Sequence, residues 1–294
     1  MSELPLQGYL FLLLSAACSL GIGVIFKVAA VKSIDSSFLI GTNYVVASIV
    51  GLVIAGRDFG IAATDPVLLL VSSATGVLFI GGFYAMAYAT RVAGVALTLS
   101  SWRMSVILPF MASWLVWSEV PSAWQLVGLA LAVVAFLLIS NAGAGLEGQN
   151  RKSIGALLLV FGLGGTVDTI LKFINESLQI DTDSMVVTCL IFGTAAVVMS
   201  FVLSIRKLKG AAIDPRSALA PGAILGLLNL GTIIFLLEAL QSLPGTVVFP
   251  AVNVSIVVGA ALVGTLIWDE ELSRAARLGV LVAIGALLLL TIGS

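Results

Sequence analysis

Histidine is missing altogether from the 294-residue chain. That removes imidazole metal ligands, Ser-His-Asp triads and histidine proton relays. Charge is scarce: Asp, Glu, Lys and Arg make up 10% of residues, against about 25% in soluble domains. The two signs nearly cancel, at a net −1, and no basic tract is present, so no nucleic-acid partner is expected. Cysteine occurs twice, as Cys18 and Cys189, each inside an apolar run. Both read as small core residues rather than a disulfide or a metal pair. The stretch "GAGLEGQN" at 143–150 has glycine spacing like a phosphate-binding loop. It lacks a following Gly-Lys-Ser/Thr and a preceding strand, so it does not bind nucleotide. With no metal-ligand cluster and no activated nucleophile, the expectation is no cofactor, no metal, no catalytic residue and no enzymatic activity.

Apolar sequence is what the chain has in excess: 60% hydrophobic residues and a mean hydropathy of +1.18. The fold class expected is all-α, a polytopic membrane protein. A spanning helix needs roughly 20 mostly apolar residues. Ten such stretches occur, at about 5–30, 36–55, 66–90, 93–117, 122–141, 153–175, 183–205, 217–241, 244–268 and 274–292. The first, "MSELPLQGYLFLLLSAACSLGIGVIF", has no basic residue before its apolar run. It is long enough to span, so it reads as a retained helix rather than a cleaved signal. No lipidation signal is seen.

The polar gap at 142–152 separates five spans from five. We expect a first five-helix repeat over 1–146 and a second over 147–294, together one integral membrane domain. An offset of 151 aligns Gly94 with Gly245, Trp117 with Trp268, Glu119 with Glu270, Ser122 with Ser273 and Gly128 with Gly279. An offset of 145 aligns Lys27 with Lys172. Five is odd, so the second half would enter the membrane upside down. Inverted repeats are the architecture of many secondary transporters, with the site near the midplane. Loops on one face carry Lys32, Arg91, Arg151, Lys152, Arg206, Lys207, Lys209, Arg216, Arg274 and Arg277, and the other face carries Arg57. The positive-inside rule then puts both termini outside a cell (inner) membrane that the chain crosses many times.

The segments "LVWSE" and "LIWDE" close the fourth spans of the two halves, and "LVGLALAVVAFLL" and "RLGVLVAIGALLLL" follow them. With "FYAMAYATRVAGVALT" and "FLLEALQSLPGTVVFPAVN" at the junctions before those spans, the chain resembles the EamA-type members of the drug/metabolite transporter superfamily over nearly its whole length. The resemblance implies ten helices around a central cavity and export or import of small metabolites. It implies that Glu119 and Glu270 are helix-end residues rather than substrate ligands. Two features depart from the family pattern. No proline stands near Leu99, although Pro250 holds the matching place and Pro109 lies further along. The charge count also opposes the family's usual cytoplasmic termini.

Polar residues inside spans carry the functional reading. Arg103 lies near the middle of its span, where a charge costs roughly 2.5–3.5 kcal/mol on insertion scales and must face water or a partner. A guanidinium forks onto carboxylate or phosphate, which makes Arg103 a candidate substrate clamp; a structural ion pair is the plainer alternative. Asp168, also mid-span, is its natural partner. It is a candidate for pairing with Arg103, for binding a substrate amine, or for carrying a coupling proton. Gly162, Gly164 and Gly165 precede it and allow close helix approach or a local break. Trp102, Tyr84, Asn43, Asn229 and Asn253 complete the candidate substrate-binding set, with interhelical packing as the alternative for the asparagines and interfacial or packing roles for the aromatics. Lys27, Lys172 and Glu238, near helix ends, are weaker candidates for gating or coupling; snorkelling explains the lysines more simply.

The function expected is a secondary transporter of small organic metabolites, with amino acids or related zwitterions first. Organic anions, amphipathic drugs, and a non-transporting membrane scaffold are the alternatives. Its partners are a small-molecule substrate, the lipid bilayer and a coupling proton, with monomer and homodimer both open.

Overall fold

The computed structural model describes residues 3–56, 65–140, 151–178, 184–209, 215–268, 271 and 273–292. Arg57, the "GAGLEGQN" stretch and Glu270 lie outside the described residues. Among the described residues there are ten helices and no strand. They are α1 (Glu3–Val31), α2 (Ser36–Ala55), α3 (Pro66–Ala93), α4 in two pieces (Val95–Met104 and Ile107–Leu115), and α5 (Ala123–Ser140). Next come α6 (Arg151–Phe173), α7 (Ser184–Leu208), α8 (Pro215–Ser242), α9 (Gly245–Trp268) and α10 (Arg274–Ile292). A π-helical turn, Ile174–Leu178, prolongs α6. Eight of the described helices are long and apolar enough to cross a membrane.

The helix starts follow from their capping residues. The Asp35 carboxylate accepts from the Phe38 N–H and opens α2. Asp65 accepts from the Val67 and Leu68 N–H groups, with Pro66 at the first helical position of α3, where its missing N–H costs nothing. Ser122 and Gln125 form a reciprocal capping box on α5: each side chain bonds the other's backbone N–H. The Ser273 hydroxyl accepts from the Ala276 N–H and starts α10. Ser122 and Ser273, aligned by the 151-residue offset, thus perform the same task.

The fourth span, expected over 93–117 with a kink at Pro109, is more than bent. It is broken at Ser105–Val106 into pieces of 10 and 9 residues, each about half the length of a span at 1.5 Å per residue. Pro109 is the cause. It has no N–H to give to the Ser105 carbonyl four residues back, and its ring crowds that carbonyl. The Leu108 N–H bonds Ser105 O instead, at 2.9 Å, and the ladder resumes with Phe110 N–H on Val106 O. The fifth span, expected over 122–141, is the helix Ala123–Ser140, with an apolar stretch of Ala123–Ile139.

The chain forms two compact units. Residues 1–16, 81–172 and 239–294 make the first; residues 17–80 and 173–238 make the second. In the first unit α5 packs along α10, and α9 packs against α5, α10 and the second piece of α4. Gly128 and Gly279 permit the α5–α10 approach. A Cβ on Gly128 would stand 2.9 Å from Leu290 Cγ, and one on Gly279 would stand 2.7 Å from Ile139 Cγ1. An apolar recess of about 300 Å³ lies among α1, α9 and α10, lined by residues that include Tyr9, Leu12, Ser255 and Leu287.

In the second unit α2 packs along α7, and Tyr44 of α2 is fully buried beside Phe192 of α7, ring centroids 5.7 Å apart. The GAILG stretch of α8 lies on α2: a Cβ on Gly226 would press on the Asn43 carbonyl and one on Gly222 on Thr42. That is the small-xxx-small packing its spacing suggests. Arg206, in the last turn of α7, grips Asp35, which caps α2 just before its span, with two parallel bonds of 2.9 Å. The Arg206 hydrogen bonds, helped by the Phe38 N–H, hold the Asp35 carboxyl below the usual carboxylate range against the opposing effect of burial. A depressed folded-state pKa adds stability that is complete above the unfolded value, about 3.9, and fades as pH falls through the folded one. The pair is partly open to solvent, so it contributes about 1 kcal/mol or less. Thermal unfolding in detergent should show Asp35→Asn less stable by that amount at pH 7. The difference should vanish when both proteins are unfolded in acid.

Candidate functional site

The first unit gathers Arg103, Asp168, Asn253, Trp102, Tyr84 and Lys172; the second holds Asn43, Asn229, Lys27 and Glu238. In the first unit, the break in α4 decides where Arg103 stands. It falls in the last turn of the first piece, where the negative end of the helix dipole favours a cation. A guanidinium buried in the interior of an unbroken helix would lack that support. Restoring the donor with Pro109→Ala should let α4 run on and re-aim Arg103. Stability should rise by up to about 3 kcal/mol, readable by thermal unfolding.

The Arg103 guanidinium donates to Asn253 Oδ1 at 3.1 Å. Asn253 is held at its other end, its Nδ2 donating to Phe249 O one turn back at 3.0 Å. The amide orientation follows from chemistry, because a guanidinium only donates and must meet the oxygen. Asp168 and Arg103 attract one another electrostatically. They do not close into a salt bridge, and the Asp168 carboxylate has no hydrogen-bond donor among the described residues. Both side chains are half-buried. Opposite charges are therefore held near each other and left apart.

Close helix approach builds this geometry. A Cβ on Gly164 would stand 2.8 Å from Ser105 Oγ and 3.3 Å from the Trp102 ring, and one on Gly165 would run into Leu108. α6 therefore rests on the broken segment of α4 through its glycines. Gly162 faces open space, and α6 shows no break. The Ser101 hydroxyl bonds Leu157 O at 2.6 Å, a second tie between α4 and α6. Trp102 packs on Gly82 of α3 and Gly164 of α6 and joins the core cluster of Ala85, Ala89, Ala156 and Val160. It wedges the two helices and fixes the residue before Arg103. Tyr84 is 46% exposed.

Lys172 does not snorkel. Its side chain is fully buried, and Nζ pairs with Glu119 Oε1 at 2.5 Å. The other Glu119 oxygen accepts from the Thr246 N–H, at the start of α9, where a carboxylate also meets the favourable end of the helix dipole. Trp117 lies 6.0 Å from Nζ by its ring centroid. The pair ties α6 and the turn after α4 to the start of α9. Reading Glu119 as a mere helix-end residue misses this. The signal was present, because both the lysine and the glutamate recur at equivalent positions of the two halves. In the second unit, Asn229 Nδ2 donates to Asn43 Oδ1 at 3.3 Å, both side chains buried, an interhelical bond of the kind polar residues make inside membranes. Lys27 and Glu238 are half-buried. Asn175, in the π-helical turn, donates to Leu237 O at 3.2 Å.

These features define an all-helical protein with the long apolar helices of a multi-pass membrane protein. No protein-family model matches the chain. An uncharacterized protein of Haemophilus influenzae is 27% identical over 284 residues, spanning 94% of this chain and 95% of its own. A protein known from its crystal structure is similar in fold, with a TM-score of 0.78 at 14% identity, covering 99% of this chain and 97% of that one.

Proposed function

We propose that the protein is a secondary transporter of small organic metabolites, with zwitterions such as amino acids as substrates, and that Arg103, Asp168 and Asn253 form its substrate clamp. The observation that carries the reading is the open charge pair: a guanidinium tethered to Asn253 beside a carboxylate with no hydrogen-bond donor among the described residues. A sealed scaffold is served best by closing that pair, since buried charges left uncompensated are costly. A substrate carrying both an ammonium and a carboxylate completes both groups at once. Arg103 keeps donors beyond the one spent on Asn253 for a carboxylate, and Asp168 takes the ammonium.

The halves act as two inverted five-helix repeats that rock to alternate access across a cell membrane. Support comes from the aligned residues. Ser122 and Ser273 both cap helices, Gly128 and Gly279 both serve the α5–α10 contact, and Gly94 and Gly245 both stand at helix starts. The resemblance to EamA-type drug/metabolite transporters agrees with this reading. The test is uptake and efflux of labelled amino acids by proteoliposomes holding the full chain, beside protein-free liposomes. Saturable flux above the empty vesicles is the expected result; equal flux for every amino acid contradicts the substrate class.

A further inference from the structure

We propose that Asp168 is an exchange site at which a proton and the substrate's ammonium group compete, and that Asn253 holds it open by keeping Arg103 from closing on it. This rests on the transporter reading and adds its coupling. Three observations carry it. Asp168 sits mid-helix in α6, half-buried, with no donor to its carboxylate among the described residues. At membrane depth such a group is stabilised by taking up a proton or a cation. The obvious cation, Arg103, is tethered to Asn253 instead. The next cation along α6, Lys172, is committed to Glu119.

Few other groups compete for the role. α4 presents Arg103 as its sole ionisable side chain, and α9 carries none between Gly245 and Trp268. From α3, packed on α6 through Ala85 and Ala89, come the phenols Tyr84 and Tyr88, with Arg91 in its last turn. None of these is a carboxylic acid, so Asp168 is the one carboxyl that α3, α4, α6 between Arg151 and Phe173, and α9 supply.

The balance is simple. With a proton bound, Asp168 is a neutral acid and the cluster carries the Arg103 charge. When the substrate arrives, its ammonium meets the carboxylate, the proton departs to the aqueous phase, and the substrate carboxylate pairs with Arg103. One proton is exchanged for one substrate. Apparent substrate affinity then falls by up to about tenfold per pH unit wherever the free site is protonated, as mutual exclusion requires. Asn253 is a positioning residue: without its oxygen the guanidinium falls onto Asp168 and the carboxylate stays ionised.

Infrared difference spectroscopy on the full chain in liposomes tests this. Acidification should produce the carbonyl band of a protonated carboxylic acid. The band should be lost in Asp168→Asn, displaced in frequency in Asp168→Glu, and suppressed at the same pH in Asn253→Leu. Adding a mixture of the standard L-amino acids at acid pH should remove the band and release protons into weakly buffered medium. An unchanged band in both Asp168 variants, or no band in the wild type, overturns the proton site. A band that amino acids leave untouched while labelled amino acids are still transported overturns the competition. Absence of any amino-acid transport sinks the substrate reading and the exchange with it, while the band alone still judges the proton site.

Discussion

Arg103→Ala is expected to reduce substrate flux about 100-fold or more in proteoliposomes, with the protein still folded. The reasoning is local. Arg103 supplies the cluster's cation, and its loss leaves Asp168 without the neighbouring charge that attracts it. A forked guanidinium–carboxylate contact with the substrate comprises two charge-assisted hydrogen bonds of roughly 1.5–3 kcal/mol each, and each 1.4 kcal/mol is tenfold in an equilibrium constant. Arg103→Lys keeps the charge but loses the planar fork that reaches Asn253 and a carboxylate together. It should recover part of the flux with weakened apparent affinity. Flux unaltered in Arg103→Ala removes the guanidinium from the mechanism.

The second large effect concerns stability. Lys172→Met should destabilise the protein by about 3 kcal/mol, because Glu119 is left in a mostly buried position with only the Thr246 N–H. Glu119→Gln keeps an acceptor oxygen for Lys172 but removes the opposing charge, so it should cost less than Lys172→Met. The double variant Lys172→Met with Glu119→Gln should lose less than the two single losses added together, since it leaves no buried charge facing a neutral group. Unfolding of the three variants in detergent measures the coupling. Losses that simply add would show that the two side chains do not depend on one another.

The helices were legible because apolar runs and turn residues mark them. α2 and α10 match the expected bounds, and α6 gains a π-helical turn that no propensity signals. The break in α4 was less legible. Pro109 stands in plain view, but the consequence lies four residues back at Ser105, inside an apolar run that reads as continuous. Which faces meet was legible only where small residues mark a close approach, as in GAILG and at Gly164 and Gly165. In a membrane chain lipid-facing and protein-facing surfaces are both apolar, so periodicity does not separate them. Arg103 and Asn253, 150 residues apart, were nonetheless hinted at, since the repeat alignment sets Asn253 opposite Trp102. Pairing with Arg103 was one of three roles the sequence left open for Asp168; the neutral amide of Asn253 took the bond instead, a choice of rotamer and packing that composition does not encode.

The most direct test asks whether water reaches the cluster. Cys18 and Cys189 are the chain's two thiols. With both replaced by alanine, a single cysteine is placed by Arg103→Cys, or in a second protein by Asp168→Cys, and sealed membranes are treated with a membrane-impermeant thiol reagent. An aqueous passage to this depth predicts modification of both positions in intact membranes. Modification of neither until detergent dissolves the bilayer would contradict it.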